Sequence, residues 1–344
     1  MSLLSIVITL IILGIIIFIH ELGHFLTSKY FGIPVTEFAL GMGPKITSFK
    51  RKGTEYSLRA IPMGGFVNIE GMEVGDMAEN GFNRKKPYQR FIVLFAGVFM
   101  NFILAFVVLF ILFIGNGENR PDGTNRVGGA VEKSSSYGKI FENDAIVSID
   151  GSKINNWKDI EGKFKNYSGN GIAVIEIERN GKIISESIKL KKYENGYKLG
   201  VFPKFVHKDY SLIEGTARAG KECINIVVLT FKGLGMLFSG MVKSDELSGP
   251  VGMIKVVDGF MSYGVAAVIY LAAFISMNIG VMNLLPIPAL DGGRILFVIF
   301  EKIGIRVDKG MEEKIHKAGM AILLVLIVIL TINDVLNIGK PLKI

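Results

Sequence analysis

Long runs of apolar positions, separated by charged stretches, dominate the chain. Leu3 to Ile19 holds no charged residue, and the run continues through His20-Glu21-Leu22-Gly23-His24 to about Tyr30. Further runs cover Phe91 to Ile114, about Tyr263 to Leu285, and about Ala318 to Ile332, the last extending toward Ile338 past Asn333 and Asp334. A helix needs about 20 apolar residues to cross the ~30 Å hydrocarbon core of a bilayer. The first three runs meet that length; the fourth is shorter and also predicts a span. Only Met1 and Ser2 precede the first run, and no small-residue cleavage site follows it, so it reads as a retained helix and not as a signal peptide.

Between the first two spans the period changes. Thr36 to Ile69 reads as short strands, with alternation over Thr54 to Ile61 and turns at Gly41, Gly43 and Pro44, then at Pro62, Gly64 and Gly65. Asp76 to Lys86 reads as a polar linker. Residues 124–205 resemble a small soluble α+β domain. Ala145 to Ile149, Ile172 to Arg179 and Lys182 to Leu190 are strand-like, Asn155 to Lys165 is a helix candidate, and Asp150-Gly151 and Asn180-Gly181 mark turns. Residues 211–241 predict a largely apolar helix on the membrane surface or beside the bundle. The expected fold class is a polytopic α-helical membrane protein of about four transmembrane helices, with a β-hairpin region and an inserted α+β domain. Its expected divisions are a membrane half at 1–115, the insert at 116–205, a helical region at 206–262 and a second membrane half at 263–344.

Composition agrees with a membrane protein: half of the 344 residues are hydrophobic, and the mean hydropathy is +0.43. The net charge of +8 would suit nucleic acid, but much of the basic charge flanks apolar runs, so no nucleic-acid partner is expected. Lys29, Lys45, Lys50, Arg51, Lys52, Arg59, Arg84, Lys85 and Lys86 lie between the first two spans, and Arg294, Lys302, Arg306, Lys309, Lys314 and Lys317 between the last two. Both connections are therefore expected in the cytoplasm, which puts both termini and residues 116–262 outside. The single cysteine, Cys223, permits no internal disulfide.

The chemistry lies in His20-Glu21-Leu22-Gly23-His24. On a helix, residues four apart share a face, so both imidazoles can reach one zinc ion at about 2.0–2.1 Å. Glu21 is then placed to act as base, and the HExxH spacing is a metalloprotease signature. Ionisable groups at bilayer depth are costly and functional by default. Seventeen residues of the run precede His20, roughly 26 Å of helix at 1.5 Å per residue. That places the metal toward the cytoplasmic side.

A catalytic zinc keeps three protein ligands and an open position. Cys223, His207 and His316 fall on the wrong side or outside the bundle in this topology. Asp291, in Asn283-Leu-Leu-Pro-Ile-Pro-Ala-Leu-Asp291-Gly-Gly293, is the candidate for the third ligand. Pro286 and Pro288 break the helix before it, and irregular backbone at membrane depth is tolerated where it lines a buried site. Alone, Asp291 is as readily a loop or capping aspartate; beside HExxH, the ligand reading prevails. Two other function classes fit parts of this pattern: a transporter using the cluster as an ion site, and a scaffold presenting the soluble insert.

The HELGH and NLLPIPALDGG motifs, in this order and at opposite ends of a polytopic chain, resemble those of the site-2 protease family of intramembrane zinc proteases. The type resembled is the bacterial regulator-of-sigma-E protease. The resemblance covers nearly the whole chain. Gly97 and Asn101 in AGVFMN fit a small-residue motif of the family's second core helix, and are read here as packing residues. GMGPKI at 41–46 fits a membrane-associated hairpin, SGPVG at 248–252 is also familiar, and 124–205 looks like a PDZ domain.

The resemblance implies zinc held by His20, His24 and Asp291, Glu21 as base and Asn283 as an auxiliary catalytic residue. It implies transmembrane-protein substrates such as membrane-anchored anti-sigma factors, in the bacterial inner membrane. The chain departs from the type in having room for one PDZ domain and not two, and in Asn143-Asp144 where Gly-Asp is usual. A peptide-carboxylate loop is expected at Val127 to Ala130, and the domain is expected either to bind peptide C-termini or to serve as a size filter.

Overall fold

A computed structural model describes residues 2–165, 167–193, 196–241, 248–305 and 307–337. The chain forms two compact units, Met1–Gly115 with Ser211–Ile344, and Asn116–Tyr210.

The first unit is built on helices. Helix α1 (Leu3–Tyr30) starts at a capping box in which Ser2 and Ser5 satisfy each other's backbone N–H groups. Helix α2 (Pro87–Asn116) opens on a proline, whose missing N–H costs nothing in the first turn. Between them, β1 (Val35–Arg51) and β2 (Thr54–Ile69) form one sheet. Each long strand bends in the middle. Gly41 and Gly43 sit at φ +88° and +80°, and a Cβ on Gly41 would meet the Ile61 carbonyl oxygen at 2.6 Å. The register shows the result: 45–51 pairs with 54–59, 35–42 pairs with 61–69, and Glu37 to Leu40 run in step beside Glu55 to Leu58. The order across the sheet is therefore 45–51, 54–59, 35–42, 61–69, with 61–69 at an edge.

Unit two, the insert, holds β3 (Glu118–Pro121), β4 (Val127–Ala130), β5 (Ala145–Ile149), β6 (Ser152–Lys153), α3 (Trp157–Lys165), β7 (Ile172–Arg179), β8 (Lys182–Lys189), β9 (Lys191–Tyr193), β10 (Gly196–Lys198), β11 (Val201–Pro203) and β12 (Phe205–Lys208). A four-stranded sheet in the order β6-β5-β7-β8 covers a core that includes Ile146, Ile149, Ile160, Phe164, Ile175 and Ile188. The insert runs to Tyr210 and not to 205, because β12 pairs with β3.

Asn143 stands at φ +68°, a conformation that glycine takes freely and asparagine tolerates, which accounts for its place in the turn. Burial alone would raise the Asp144 carboxyl, but the Arg179 guanidinium and the Phe141 N–H hold it below its ordinary value. Val127 to Ala130 is not an open carboxylate loop. It is strand β4, paired with β11, and Val127 also exchanges backbone hydrogen bonds with Asn143 and Asp144. The insert's groove lies instead between α3 and residues 196–203, lined by Trp157, Ile160, Phe164, Leu199 and Phe202.

The chain re-enters the first unit with α4 (Leu212–Phe238), α5 (Pro250–Met261), α6 (Val265–Leu284), α7 (Asp291–Lys302) and α8 (Lys309–Leu336). The region expected as 206–262 thus holds the end of the insert and two helices; residues 242–247 within it, like Ile338 at the expected end of the fourth span, lie outside the described residues. Helices α1, α2, α6 and α8 are long and apolar enough to cross a bilayer.

Ile12 and Ile16 of α1 pack with Val257 of α5 and with Leu271 and Ile275 of α6. A second cluster joins Ile33, Val35, Ile69, Val93 and Leu94 to Ile295 and Val298 of α7. Arg90 at the start of α2 pairs with Glu301 near the end of α7 at 2.6 Å. These contacts bring α7, from the far end of the sequence, against α2 and the sheet.

Helix α8 buries little. Its buried residues are Gly319 and Asp334. The Asp334 carboxylate accepts the N–H groups of Gly249 at 3.1 Å and Gly252 at 2.7 Å, at the start of α5. It thereby satisfies donors that a helix start leaves unpaired, with a charge matched to the dipole. Neither glycine has room for a Cβ beside this carboxylate: the distances would be 2.9 and 2.8 Å. Hydrogen bonds to a charged group contribute about 1.5–3 kcal/mol each. Asp334→Ala is therefore expected to destabilise the purified protein by about 2 kcal/mol or more, read as a lower thermal midpoint in detergent. Asp334→Asn should lose less, because its amide oxygen still accepts.

Candidate metal centre

His20 and His24 lie one turn apart on the buried face of α1. Asp291 opens α7, directly after the break that follows Leu284. The three side chains converge. His20 Nε2 is 3.0 Å and His24 Nε2 is 3.4 Å from Asp291 Oδ2, and the two nitrogens are 3.2 Å apart. A tetrahedral zinc with bonds of about 2.0–2.1 Å holds its ligand atoms about 3.3 Å from one another. The triangle has that size.

The partners of the rings agree with it. His24 Nδ1 lies 2.8 Å from the Val93 carbonyl, which only accepts, so Nδ1 carries the hydrogen and Nε2 keeps its lone pair. His20 Nδ1 lies 3.3 Å from the amide of Asn101, a fully buried residue. With its nitrogen turned to His20, Asn101 leaves Oδ1 buried without a partner among the described residues. Turned over, Oδ1 accepts from His20 Nδ1–H, and His20 Nε2 is also free to ligate. Asp291 Oδ2 is buried with no hydrogen-bond donor of its own among the described residues. Two imidazoles and one carboxylate are a donor set for catalytic zinc.

Glu21 stands outside the triangle. Its Oε2 accepts the Val67 N–H at 3.1 Å, which ties the carboxylate to the edge strand 61–69. Gly97 faces the rings, and a Cβ there would lie 2.3 Å from His24 Nε2 and 3.0 Å from His20 Cε1. Gly23 is as tight against Ala96, at 2.3 Å from its carbonyl oxygen, so α1 and α2 touch backbone to backbone at the centre. Gly97 and Asn101 thus border the two imidazoles and are not packing residues alone.

Of the other residues singled out from the sequence, Asn283 is half-buried one residue before the end of α6, and no side-chain hydrogen bond ties it to the triangle among the described residues. Cys223 is half-buried on α4, and His207 meets Asn119 and Asp209 in the insert. The expected topology puts His316 on the wrong side or outside the bundle. The structure places it against the Asp291 loop: its Nδ1 accepts the Ala289 N–H at 3.1 Å. The sequence did hold a signal for this, since His316 lies in the connection after Asp291, on the side of the membrane to which the basic residues assign that motif.

The sequence profile of peptidase family M50 matches residues 8–330. A Fusobacterium nucleatum protein bearing a zinc-metalloprotease name is 48% identical over 330 residues, which is 95% of this chain and 97% of its own. The regulator of sigma-W protease RasP of Bacillus subtilis is 29% identical over 411 positions, 95% of this chain and 97% of its own. Among solved structures, the PDZ domain of an SdrC-like protein from Listeria innocua matches 26% of this chain and all of its own, at 20% identity and a TM-score of 0.22. With a profile match across most of its length and a relative nearly half identical, the chain belongs to peptidase family M50, the site-2 protease family of membrane-embedded zinc metalloproteases.

Proposed function

We propose that the chain hydrolyses peptide bonds within or beside transmembrane segments of single-pass membrane proteins already shortened by another protease. His20, His24 and Asp291 hold the zinc and Glu21 is the general base. The observation that carries this reading is the triangle of two Nε2 atoms and Oδ2, with edges of 3.0–3.4 Å, drawn from residues at opposite ends of an apolar chain. Zinc, when bound, supplies the Lewis acidity that polarises a carbonyl and lets water attack at neutral pH.

The chain's own residues do the rest. Val67 N–H occupies Glu21 Oε2, which leaves Oε1 to take the proton of the attacking water and return it to the leaving amine. The helical substrate must unwind, since helical hydrogen bonds shield its peptide groups. An unwound segment pairs with the 61–69 edge, whose backbone already reaches Glu21, as an added strand. The half-buried amide of Asn283, eight residues before Asp291 in sequence, steadies the substrate backbone or the oxyanion.

The basic connections between spans support cytoplasmic placement of the metal and an outside location for both termini and the insert, in a bacterial inner membrane. The name of the Bacillus subtilis relative supports membrane-anchored regulators of sigma factors as one substrate class, beside remnant signal peptides. A purified preparation should cut a model transmembrane peptide, contain stoichiometric zinc by elemental analysis, lose cleavage on chelation and regain it with added zinc. Active protein free of zinc would overturn the proposal. So would zinc-loaded protein that moves ions but cuts nothing.

A further inference from the structure

We propose that His316 is a positioning residue that holds Asp291 in the metal triangle; this rests on Asp291 being a zinc ligand. The segment between α6 and α7 approaches the metal centre through an unfavourable backbone. Ala289 has φ +76°, a left-handed conformation that a residue with a Cβ rarely adopts. Such a conformation persists only where the surroundings over-determine it. Here the surroundings come from α8. The Ala289 N–H donates to His316 Nδ1 at 3.1 Å. One turn further along the same face, Gly319 lets α8 settle on Pro288: a Cβ there would fall 2.4 Å from Pro288 Cβ and 2.8 Å from its carbonyl oxygen.

Among the described residues the imidazole makes no second hydrogen bond. With Nδ1 accepting, the neutral ring carries its hydrogen on Nε2, which is buried without a partner among the described residues. The Phe297 ring of α7 lies against its side, 5.4 Å between centroids. His316 of α8 is therefore held against α7 with one acceptor aimed at one N–H, two residues before Asp291. Without that acceptor, Ala289 relaxes toward negative φ and the turn carries Asp291 Oδ2 away from His20 and His24.

The test separates an acceptor from mere bulk. Asparagine presents Oδ1 close to the position of Nδ1, whereas leucine fills similar space and accepts nothing. Zinc affinity of the full-length protein, measured by competition with a chelator, should fall about 10–100-fold in His316→Leu. It should stay within about threefold of the parent in His316→Asn, the acceptor for the Ala289 N–H being retained. Glycine occupies φ +76° without strain, so Ala289→Gly placed in the His316→Leu background should recover a measurable part of the affinity. Parental affinity in His316→Leu overturns the proposal. Equal losses in the Asn and Leu variants, or no recovery with Ala289→Gly, do so as well. Asp291→Ala run alongside keeps the two readings apart. Unchanged affinity there removes Asp291 as a ligand, whereas affinity lost there and kept in His316→Leu overturns only the role of His316.

Discussion

Glu21→Gln is expected to keep stoichiometric zinc and to lower peptide cleavage by about 10²–10⁴-fold, the range for loss of a general base. The two outcomes separate because the geometry separates the residues. The triangle is closed by His20, His24 and Asp291, with Glu21 outside it. Glutamine has the shape of glutamate, and its amide oxygen can still accept the Val67 N–H now bound by Oε2, so the edge strand stays docked on α1. What glutamine cannot do is take a proton from water. Elemental analysis and a cleavage assay on the same preparation read both halves of the prediction. Zinc lost together with activity would make Glu21 a ligand; activity kept would remove it as the base and return the ion-site reading of the cluster.

Gly97→Ala is expected to lower zinc affinity by at least the 10–100-fold typical of disturbing a ligand's surroundings, in a protein that still folds. The added methyl would stand 2.3 Å from His24 Nε2 and 2.5 Å from its Cε1, on the side of the ring that must face the metal. The ring has no easy retreat. Its Nδ1 is held by the carbonyl of Val93, one turn earlier on the same helix as Gly97. Moving away from the methyl means giving up that bond, and a buried imidazole N–H left without its acceptor costs about 1–3 kcal/mol. Chelator competition measures the loss. Parental affinity in this variant would mean that α1 and α2 separate at the centre more readily than the contact between Gly23 and Ala96 allows.

The spans were legible because a bilayer demands length and apolarity, and α1, α2, α6 and α8 meet that demand in residues that can be counted. HExxH was legible for a related reason, since helical geometry alone puts His20 and His24 on one face. The turns at Gly41, Gly43 and Gly64 were visible, but the strand order they create was not. It depends on residues 35–42 lying between 54–59 and 61–69, a pairing between segments that are not neighbours in sequence. Helices α5 and α7 went unread as helices. One begins inside a motif already noted for other reasons, and the other follows two prolines in what looked like a connection. Asn101, Gly97 and His316 shared a different obstacle. Their roles come from where one helix lands on another, and no periodicity along a single helix encodes that landing point. Asn101 looked like a small polar residue suited to helix packing, and packing is what places its amide against His20.

Helix α8 adds a consequence of its own. It is fastened at His316 to the Asp291 loop and at Asp334 to the start of α5, while Leu324, Val328 and Ile329 between them are exposed. Eighteen residues separate the two fastenings, roughly 27 Å of helix, close to the thickness of a bilayer's hydrocarbon core. A free span meets a thinner membrane by tilting. This one cannot tilt far without drawing either His316 from Ala289 or Asp334 from Gly252. Hydrophobic mismatch must then be taken up by the surrounding lipid or borne as strain at the two fastenings, one of which lies two residues from Asp291.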